Sequence, residues 1–315
     1  MPAPDTPGRA TGRRIVVAGG GGFLGRSLVA ELPGRGYDVV VLSRRAGAGP
    51  PGVRTVAWTP DGSTGPWAAE VDGARAVINL AGANIADKRW TADRKEELRS
   101  SRVLSTRSLV AAVRAAARKP ATFLQGSAVG FYGLLDDRVV DESFPPGDDF
   151  FGRMAVAWEA EARPLEALDV RLAIIRSGVV LARDDGALKK MLPAFQWFVG
   201  GRIARGQQYF SWIHRDDWIA FLLWALEYTP VSGPMNATAP VPVTNAEFSR
   251  VLGRVLRRPS WLPVPGPALR MLVGELATYA LLHGQRVVPK RALALGFQFK
   301  YPDIDTALRA ALGRR

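Results

Sequence analysis

The glycine-rich segment near the start of this 315-residue chain is the clearest candidate for a ligand site. Gly19, Gly22 and Gly25 follow an apolar run, residues 15–18, at a G-x-x-G-x-x-G spacing. Glycine permits a tight turn and a close approach of phosphate to the backbone, and the free N–H groups at the start of the next helix bind the anion. We therefore predict a turn that binds the pyrophosphate of a dinucleotide through Gly19, Gly22, Phe23, Leu24 and Gly25.

A second candidate group follows the next apolar run, residues 38–43, which ends in Ser43, Arg44 and Arg45. A site for NAD places an acidic side chain here to accept a hydrogen bond from the ribose 2′-hydroxyl. Guanidinium groups bind a 2′-phosphate through charge-assisted hydrogen bonds instead. A basic loop without function is the alternative in a chain this rich in arginine, but the position favours NADP.

The elements that position these groups alternate between strand and helix through the first 180 residues. Short runs rich in Val, Ile and Leu predict strands at 14–18, 38–43, 53–58, 75–80, 121–127 and 170–176. Helices are predicted at 24–36 and 92–117, with Thr91 as the N-cap of the second and Pro33 breaking the last turn of the first. This alternation predicts an α/β fold, a doubly wound parallel sheet covered by helices on both faces.

The character of the sequence changes after residue 180. Loop and helix are predicted over 181–211, a helix that returns to the sheet over 217–228, a final strand over 234–237, and helices over Asn245–Leu256 and 267–282. The predicted organisation is a disordered tail (1–14), a dinucleotide-binding domain (15–180 with 212–237) and a smaller C-terminal lobe (181–211 with 238–315).

Composition excludes several classes of protein. The chain has no cysteine and two histidines, His214 and His283, far apart in sequence, so disulfides and a metal site are not expected. No apolar run reaches the roughly 18 residues that span a bilayer, and we expect no membrane among the partners of the protein. The first 14 residues lack the apolar core of a signal peptide, and we expect a cytoplasmic protein.

The formal net charge of +13 raises the question of nucleic-acid binding. Proteins that bind nucleic acid usually concentrate Lys and Arg on one face or arm, with aromatic residues between them. Here the basic residues are scattered along the chain, which favours a small-molecule ligand and no nucleic acid.

Further motifs resemble the extended branch of the short-chain dehydrogenase/reductase superfamily, whose members have an NAD(P)-binding Rossmann fold. Asn79-Leu80-Ala81-Gly82, Tyr132-Gly133, Arg176-Ser177-Gly178-Val179 and the segment WIHRDD (212–217) all have counterparts there. The longer segments AGANIADKRW, SRVLSTR, SAVGFYG, HGQRV and NATAPVPVTNAEF resemble an atypical subgroup described as epimerase family proteins. That subgroup usually carries an uncharacterised C-terminal domain, which the end of this chain resembles.

The resemblance implies site residues as well as a fold. Ser127 corresponds to the catalytic serine, and Arg102 falls where the family often has an asparagine that faces the cofactor. Leu80, Ala81, Gly82, Ser127, Gly178 and Val179 are implied on the nicotinamide side.

The tyrosine and lysine that ordinary members carry after the serine are absent. Phe151 and Ala155 occupy those places, and neither side chain can transfer a proton or hold a ribose. Tyr132 is the phenol nearest to Ser127 in sequence, so Ser127 and Tyr132 are the predicted catalytic pair, with packing as the alternative role of Tyr132. Other candidates, each with a structural alternative, are Tyr209, His214, Lys88, Arg89 and Glu159.

Two functions remain open at this level. The first is an NADP-dependent oxidoreductase or epimerase acting on an unknown small molecule, and the second is a non-catalytic NADP(H)-binding or redox-sensing protein. Four large aromatic residues of the C-terminal lobe have two alternative roles, lining a substrate pocket or forming the hydrophobic core of the lobe: Trp197, Phe198, Trp261 and Tyr279. A monomer or a homodimer is expected.

Overall fold

The computed structural model describes residues 12–45, 47, 49 and 51–314. Its central sheet contains seven parallel strands: β1 (Arg14–Ala18), β2 (Asp38–Ser43), β3 (Val53–Ala57), β4 (Ala76–Asn79), β5 (Thr122–Ala128), β7 (Arg171–Ser177) and β11 (Gly233–Ala237). Their order across the sheet is β11-β7-β5-β4-β1-β2-β3. The chain winds outward from β1 in one direction through β2 and β3, then in the other through β4, β5, β7 and β11. This order is that of a Rossmann fold, as predicted.

Six short strands form three two-stranded sheets outside the central sheet. β6 (Val139–Val140) pairs with β13 (Arg286–Val287), β8 (Val179–Leu181) with β10 (Trp212–His214), and β9 (Tyr209–Phe210) with β12 (Val243–Thr244).

The α-helices are α1 (Phe23–Glu31), α2 (Ala92–Ala115), α3 (Phe150–Ala162), α4 (Gly186–Gln196), α5 (Arg215–Glu227), α6 (Asn245–Leu256), α7 (Gly266–Val273), α8 (Lys290–Ala294) and α9 (Ile304–Ala311). Single turns of 3₁₀-helix lie at Pro33–Arg35, Pro66–Glu70, Val129–Tyr132 and Arg163–Leu168, and a π-helical turn lies at Thr278–Leu282.

Helices cover both faces of the sheet because its strands are apolar on both sides. Leu28 of α1 and Phe221 of α5 pack with Val17 and Ile78 on one face. Leu109 and Val113 of α2 pack on the other face with Val16, Val77 and Phe123. The sheet is thus buried on both sides, which is why its strands read as nearly continuous apolar runs.

A second core lies outside the sheet. It joins Leu188 and Phe195 of α4, Phe248 and Leu252 of α6, and Leu308 of α9. These helices derive from both pieces of sequence assigned to the smaller lobe.

The end of the chain returns to the sheet domain at several points. β13 pairs with β6 in parallel, and the Asn236 side-chain amide donates to the Val288 carbonyl at 3.1 Å. The buried Asp217 carboxylate of α5 accepts the backbone N–H groups of Lys300 and Tyr301 at 2.8 and 2.9 Å. The C-terminal residues are therefore part of the core of the molecule.

The prediction of one helix over 267–282 was wrong. α7 ends at Val273 because Gly274 adopts φ +73°, a conformation that ends a helix, and helical structure resumes at Leu276, just before the π-helical turn at Thr278–Leu282. The predicted tail, residues 1–14, lies outside the described residues except for 12–14, and Arg14 already belongs to β1.

Two findings concern membranes and metals. Within the described residues, no helix is long and apolar enough to cross a membrane. The same residues contain no cluster of histidine and acidic side chains able to hold a metal ion.

Candidate functional site

The glycine turn connects β1 to α1 and is sterically fixed. Gly19 has φ +81°, and a Cβ there would lie 2.5 Å from the Leu80 backbone. A Cβ on Gly25 would lie 2.2 Å from the Gly19 carbonyl oxygen, and one on Gly20 would lie 2.8 Å from the Val41 side chain. The turn therefore requires glycine at these positions simply to pack against β4 and β2.

Two other glycines of the turn are required by nothing in the protein itself. A Cβ on Gly21 would meet no atom within 4 Å, and one on Gly22 would meet only the Gly19 oxygen at 3.4 Å. Gly22 is the N-cap of α1, which has no side-chain cap and no acidic residue in its first turn. The Gly22 N–H donates to the Gly19 carbonyl at 3.0 Å, so the N–H groups left for an anion are those of the first turn of α1, which begins at Phe23.

The end of β2 lies beside this turn and carries free positive charge. Arg44 and Arg45 are exposed, and neither forms an ion pair with another described residue. The Arg45 backbone N–H donates to the Ser43 hydroxyl at 3.4 Å. Two exposed guanidinium groups that form no ion pair with another described residue match the chemistry that a 2′-phosphate needs.

A third arginine, Arg102 of α2, lies beside Gly82, which follows the carboxyl end of β4. A Cβ on Gly82 would lie 3.1 Å from the Arg102 side chain, and the Arg102 guanidinium lies 5.2 Å from the Trp158 ring centroid. Its one hydrogen bond among the described residues goes to the Leu98 carbonyl of its own helix, at 2.8 Å. Burial, together with the charge of Arg94, lowers the pKa of Arg102 to about 10, so a neighbouring anion would be stabilising here.

Asn79, Leu80 and Ala81 form the bend that leads to Gly82. The buried Asn79 amide donates to Thr106 and Gln125 at 2.9 and 3.1 Å, and its oxygen accepts the Ala81 N–H at 3.1 Å. These bonds fix the bend between the glycine turn and α2.

Ser127 lies in a buried polar network and does not face the open edge. Its side chain is 5% exposed, and its hydroxyl donates to Glu159 at 2.7 Å. Glu159 forms a two-point ion pair with Arg176, with both N–O distances 2.9 Å. Successive strand residues point to opposite sides, and the next residue, Ala128, is the exposed one.

Tyr132 belongs to the same network and is wholly buried. Its hydroxyl donates to Asn236 at 2.7 Å and accepts from Arg176 at 3.1 Å. Burial raises the pKa of Tyr132 above its ordinary value, although the nearby Arg176 opposes this. The structure thus brings Ser127 and Tyr132 together through Arg176, with both hydroxyl groups already hydrogen-bonded.

The residues at the two positions where ordinary members have tyrosine and lysine pack in apolar surroundings. Ala155 is buried with Tyr132 and Val287. Phe151 contacts Trp90 and Tyr279, with ring centroids 5.3 and 5.7 Å apart, and Trp90 stacks on Tyr279 at 5.7 Å. An aromatic cluster that includes a residue of the C-terminal lobe therefore lies where ordinary members keep their phenol.

The remaining candidates have structural roles. The His214 ring accepts the Asp216 backbone N–H at 3.1 Å and caps α5, as the alternative reading expected. The Tyr209 ring lies under the Arg286 guanidinium. Lys88 and Arg89 are exposed, and Arg89 donates to the Met271 carbonyl at 3.3 Å.

Gly178 and Val179 connect β7 to β8 and are held by backbone contacts. The Gly178 N–H donates to Ala237 at 3.0 Å and the Val179 N–H to Ser211 at 2.8 Å. A Cβ on Gly178 would lie 2.7 Å from the Ser211 oxygen. Their contact with a nicotinamide stays a prediction.

Sequence reasoning missed the roles of Arg176 and Glu142. Arg176 was noted only within a loop motif, yet it joins Ser127, Tyr132 and Glu159. The Glu142 carboxylate accepts the Asn236 N–H at 3.1 Å. For Arg176 the available signal was a charged residue inside the otherwise apolar run 172–176, which indicates a buried partner, whereas Glu142 lies between Asp141 and Ser143 and offered no such signal.

The sheet order, the uncapped glycine turn and the free cations at the strand ends define a dinucleotide-binding protein of the short-chain dehydrogenase/reductase type. Residues 15–237 match the NAD dependent epimerase/dehydratase family, and this chain belongs to it. Residues 264–311 match DUF1731, a domain of unknown function. Both the family and the additional domain agree with the predicted resemblance.

Similar proteins cover almost the whole chain. The crystal structure of human epimerase family protein SDR39U1 (isoform 2) with NADPH has a TM-score of 0.87 and 36% identity, covering 96% of this chain and 100% of that one. The epimerase family protein MT2273 of Mycobacterium tuberculosis is 40% identical over 95% of this chain and 98% of its own length. The chloroplastic SDR39U1 homolog of Arabidopsis thaliana is 41% identical over 95% and 86%.

Proposed function

We propose that this chain binds NADP(H) and acts as an oxidoreductase or epimerase on a small molecule. The observation that carries the proposal is the start of α1, which has no side-chain cap and follows two glycines, Gly21 and Gly22, that leave room for a ligand beside it. The similar human protein was solved with NADPH, which supports the same cofactor here. Cytoplasmic residence and a monomer or homodimer belong to the proposal, although the Arabidopsis relative is described as chloroplastic.

Each part of the cofactor has matching residues. The N–H groups of Phe23, Leu24 and Gly25 would hold the pyrophosphate, and Arg44 and Arg45 the 2′-phosphate. Leu80, Ala81, Gly82 and Arg102 would face the nicotinamide half. Residues 15–180 with 212–237 would form the cofactor domain, and residues 181–211 with 238–315 the substrate lobe.

The preference for the phosphorylated cofactor is tested by titrating NADPH and NADH into the protein and into the Arg44→Ala/Arg45→Ala variant. We expect the variant to lose NADPH affinity by about 10- to 100-fold, as two charge-assisted bonds are lost, with little change for NADH. Arg114→Ala is the matched control, an exposed arginine distant in sequence from β2. Equal losses for both cofactors would contradict the assignment of these arginines to the 2′-phosphate.

The network around Ser127 restricts the chemistry. NADPH, when bound, supplies a hydride, and a carbonyl acceptor also needs a proton at its oxygen. The single proton of the Ser127 hydroxyl is directed to Glu159 and its side chain is buried, so Ser127 does not donate a proton to a substrate at the open edge in this arrangement. It would act on a substrate only as a hydrogen-bond acceptor, and only for a substrate group that reaches this buried side. A substrate screen should therefore include hydride acceptors that take their proton from water, such as quinones, as well as aldehydes and ketones.

A second candidate function is a non-catalytic NADP(H)-binding protein. The enclosed Tyr132 hydroxyl favours it, together with Phe151 and Ala155 at the usual proton-transfer positions. Such a protein would report the redox state of the NADP pool through binding alone.

The two functions are separated by Ser127→Ala and Tyr132→Phe, assayed for NADPH oxidation against the screen. If Ser127 works on the substrate, we expect Ser127→Ala to reduce turnover by about 10²-fold while NADPH affinity is kept. Ser249→Ala is the matched control, since it removes the hydroxyl of another buried serine, one that donates to the Gly201 carbonyl outside this network. Unchanged turnover in both Ser127→Ala and Tyr132→Phe would exclude the predicted catalytic pair, and a wild-type protein inactive on the whole screen would favour the binding protein.

A further inference from the structure

The C-terminal lobe carries a group of large apolar side chains on its surface, here called the tryptophan face. Trp197 and Trp261 are 78% and 76% exposed, and Phe198, Val199 and Leu262 are also exposed. Residues of this size normally bury most of their area, and a contiguous exposed group of them usually marks an interaction site. None of these residues lies in the cofactor site described above.

Backbone contacts hold the two segments of this face together. Gly201 forms a bridge with Trp261, and the Val264 N–H donates to the Arg202 carbonyl at 2.9 Å. Phe198 has φ +64°, a conformation that is unfavourable for a bulky side chain, and its ring remains exposed. Backbone strain at an exposed aromatic residue supports a functional role, since stability alone gives no reason to keep it.

Helix α7 begins shortly after Trp261 and Leu262 and also exposes apolar side chains. None of its residues is buried, and Met271 and Leu272 are each 79% exposed. A short helix that exposes apolar side chains beside a basic one, here Arg270, is typical of elements that lie in a membrane interface.

The charged side chains of this region are mostly positive. Residues 186–215 and 248–274 contain no aspartate or glutamate, and Glu275, which follows α7, pairs with Lys95. Six exposed arginines of these segments form no ion pair with another described residue: Arg202, Arg205, Arg250, Arg257, Arg258 and Arg270. The Arg258 guanidinium lies 4.7 Å from the Phe198 ring centroid, so charge and apolar surface are in direct contact.

We propose that the tryptophan face and α7 dock the protein on the surface of an anionic lipid bilayer. Tryptophan favours the headgroup region, Met and Leu side chains insert among acyl chains, and arginines bind lipid phosphates. A bilayer accepts protruding side chains without a complementary shape. A symmetric dimer through this face would instead bring the arginines of two copies together, which costs energy. Docking is peripheral, consistent with the lack of a membrane-crossing helix among the described residues.

The test is co-sedimentation of the full chain with vesicles of phosphatidylcholine alone and of phosphatidylcholine mixed with phosphatidylglycerol. We expect binding only to the mixed vesicles, accompanied by a blue shift of tryptophan emission. Trp197→Ser/Trp261→Ser should lower the partition coefficient at least about tenfold, as should Arg257→Glu/Arg258→Glu. Leu293→Ser and Arg114→Glu are matched controls, an exposed leucine and an exposed arginine outside the face.

The outcomes are distinct. Loss of binding in both face variants, with the controls and NADPH affinity unchanged, supports the proposal. Equal binding by the tryptophan variant would show general attraction by the net charge and would overturn it. No binding of the wild type to mixed vesicles would also overturn it, and a wild-type dimer that the tryptophan variant converts to monomer would assign the face to a second copy of the chain.

Discussion

Glu159→Ala is expected to lower the free energy of unfolding by about 3–5 kcal/mol, among the largest effects of any single substitution in this chain. Glu159 and Arg176 are both nearly inaccessible, with side-chain exposures of 4% and 3%. Removing the carboxylate leaves the Arg176 guanidinium charged in a site that water does not reach. The Ser127 hydroxyl would lose its acceptor at the same time. Urea denaturation monitored by circular dichroism measures the change.

The control for Glu159→Ala is Arg107→Ala, which removes an exposed ion pair. Arg107 of α2 binds Glu161 of α3 at 2.7 Å, but its side chain is 52% exposed, so the expected loss is only about 0–1 kcal/mol. The double variant Glu159→Leu/Arg176→Met should recover part of the loss, because no unpaired charge remains. Equal stability of Glu159→Ala and the wild type would mean that Arg176 finds another partner or reaches water.

Gly25→Ala is expected to weaken NADPH binding by about 10²-fold or more, equivalent to roughly 2.7 kcal/mol. Its Cβ would lie 2.2 Å from the Gly19 carbonyl oxygen and 2.7 Å from the Gly20 Cα, so α1 must move away from the turn. The N–H groups that hold the pyrophosphate would move with it. Calorimetric titration of the folded variant with NADPH measures the loss.

Two alanine variants make this result specific. Gly34→Ala adds a methyl group where no atom lies within 4 Å and should bind NADPH normally. Gly21→Ala also meets no protein atom, so any loss of affinity in that variant comes from contact with the ligand itself. If Gly25→Ala folds and binds like the wild type, the turn is not the pyrophosphate site.

The sheet could be predicted from sequence because each of its strands is buried on both faces. Such strands are continuous apolar runs, and all seven were located within about one residue at each end. The N-caps Thr91 and Thr244 mark the starts of α2 and α6, where each side chain accepts a backbone N–H three residues on. Local chemistry thus determined the elements around the cofactor site.

The network behind Ser127 could not be predicted in the same way. Side chains alternate between the two sides of β5, so either Ser127 or Ala128 faces the open edge. A continuous apolar run does not show which of the two does. The ion pair between Glu159 and Arg176 joins α3 to β7, and its burial depends on packing that brings distant segments together. The helix predicted over 267–282 failed for a local reason, since Gly274 ends it and the apolar spacing continues across the glycine.

The return of the C-terminal residues to the sheet domain has a consequence for how the protein is made. Asp217 precedes its partners Lys300 and Tyr301 by 83 and 84 residues. At roughly 5–20 residues per second, a ribosome releases these partners about 4–17 s after α5 has emerged. During that interval the carboxylate must stay hydrated, and β6 waits for β13. We therefore expect the nascent sheet domain to remain incomplete and chaperone-dependent until translation has ended, and premature stop codons late in the gene to yield chains that are degraded.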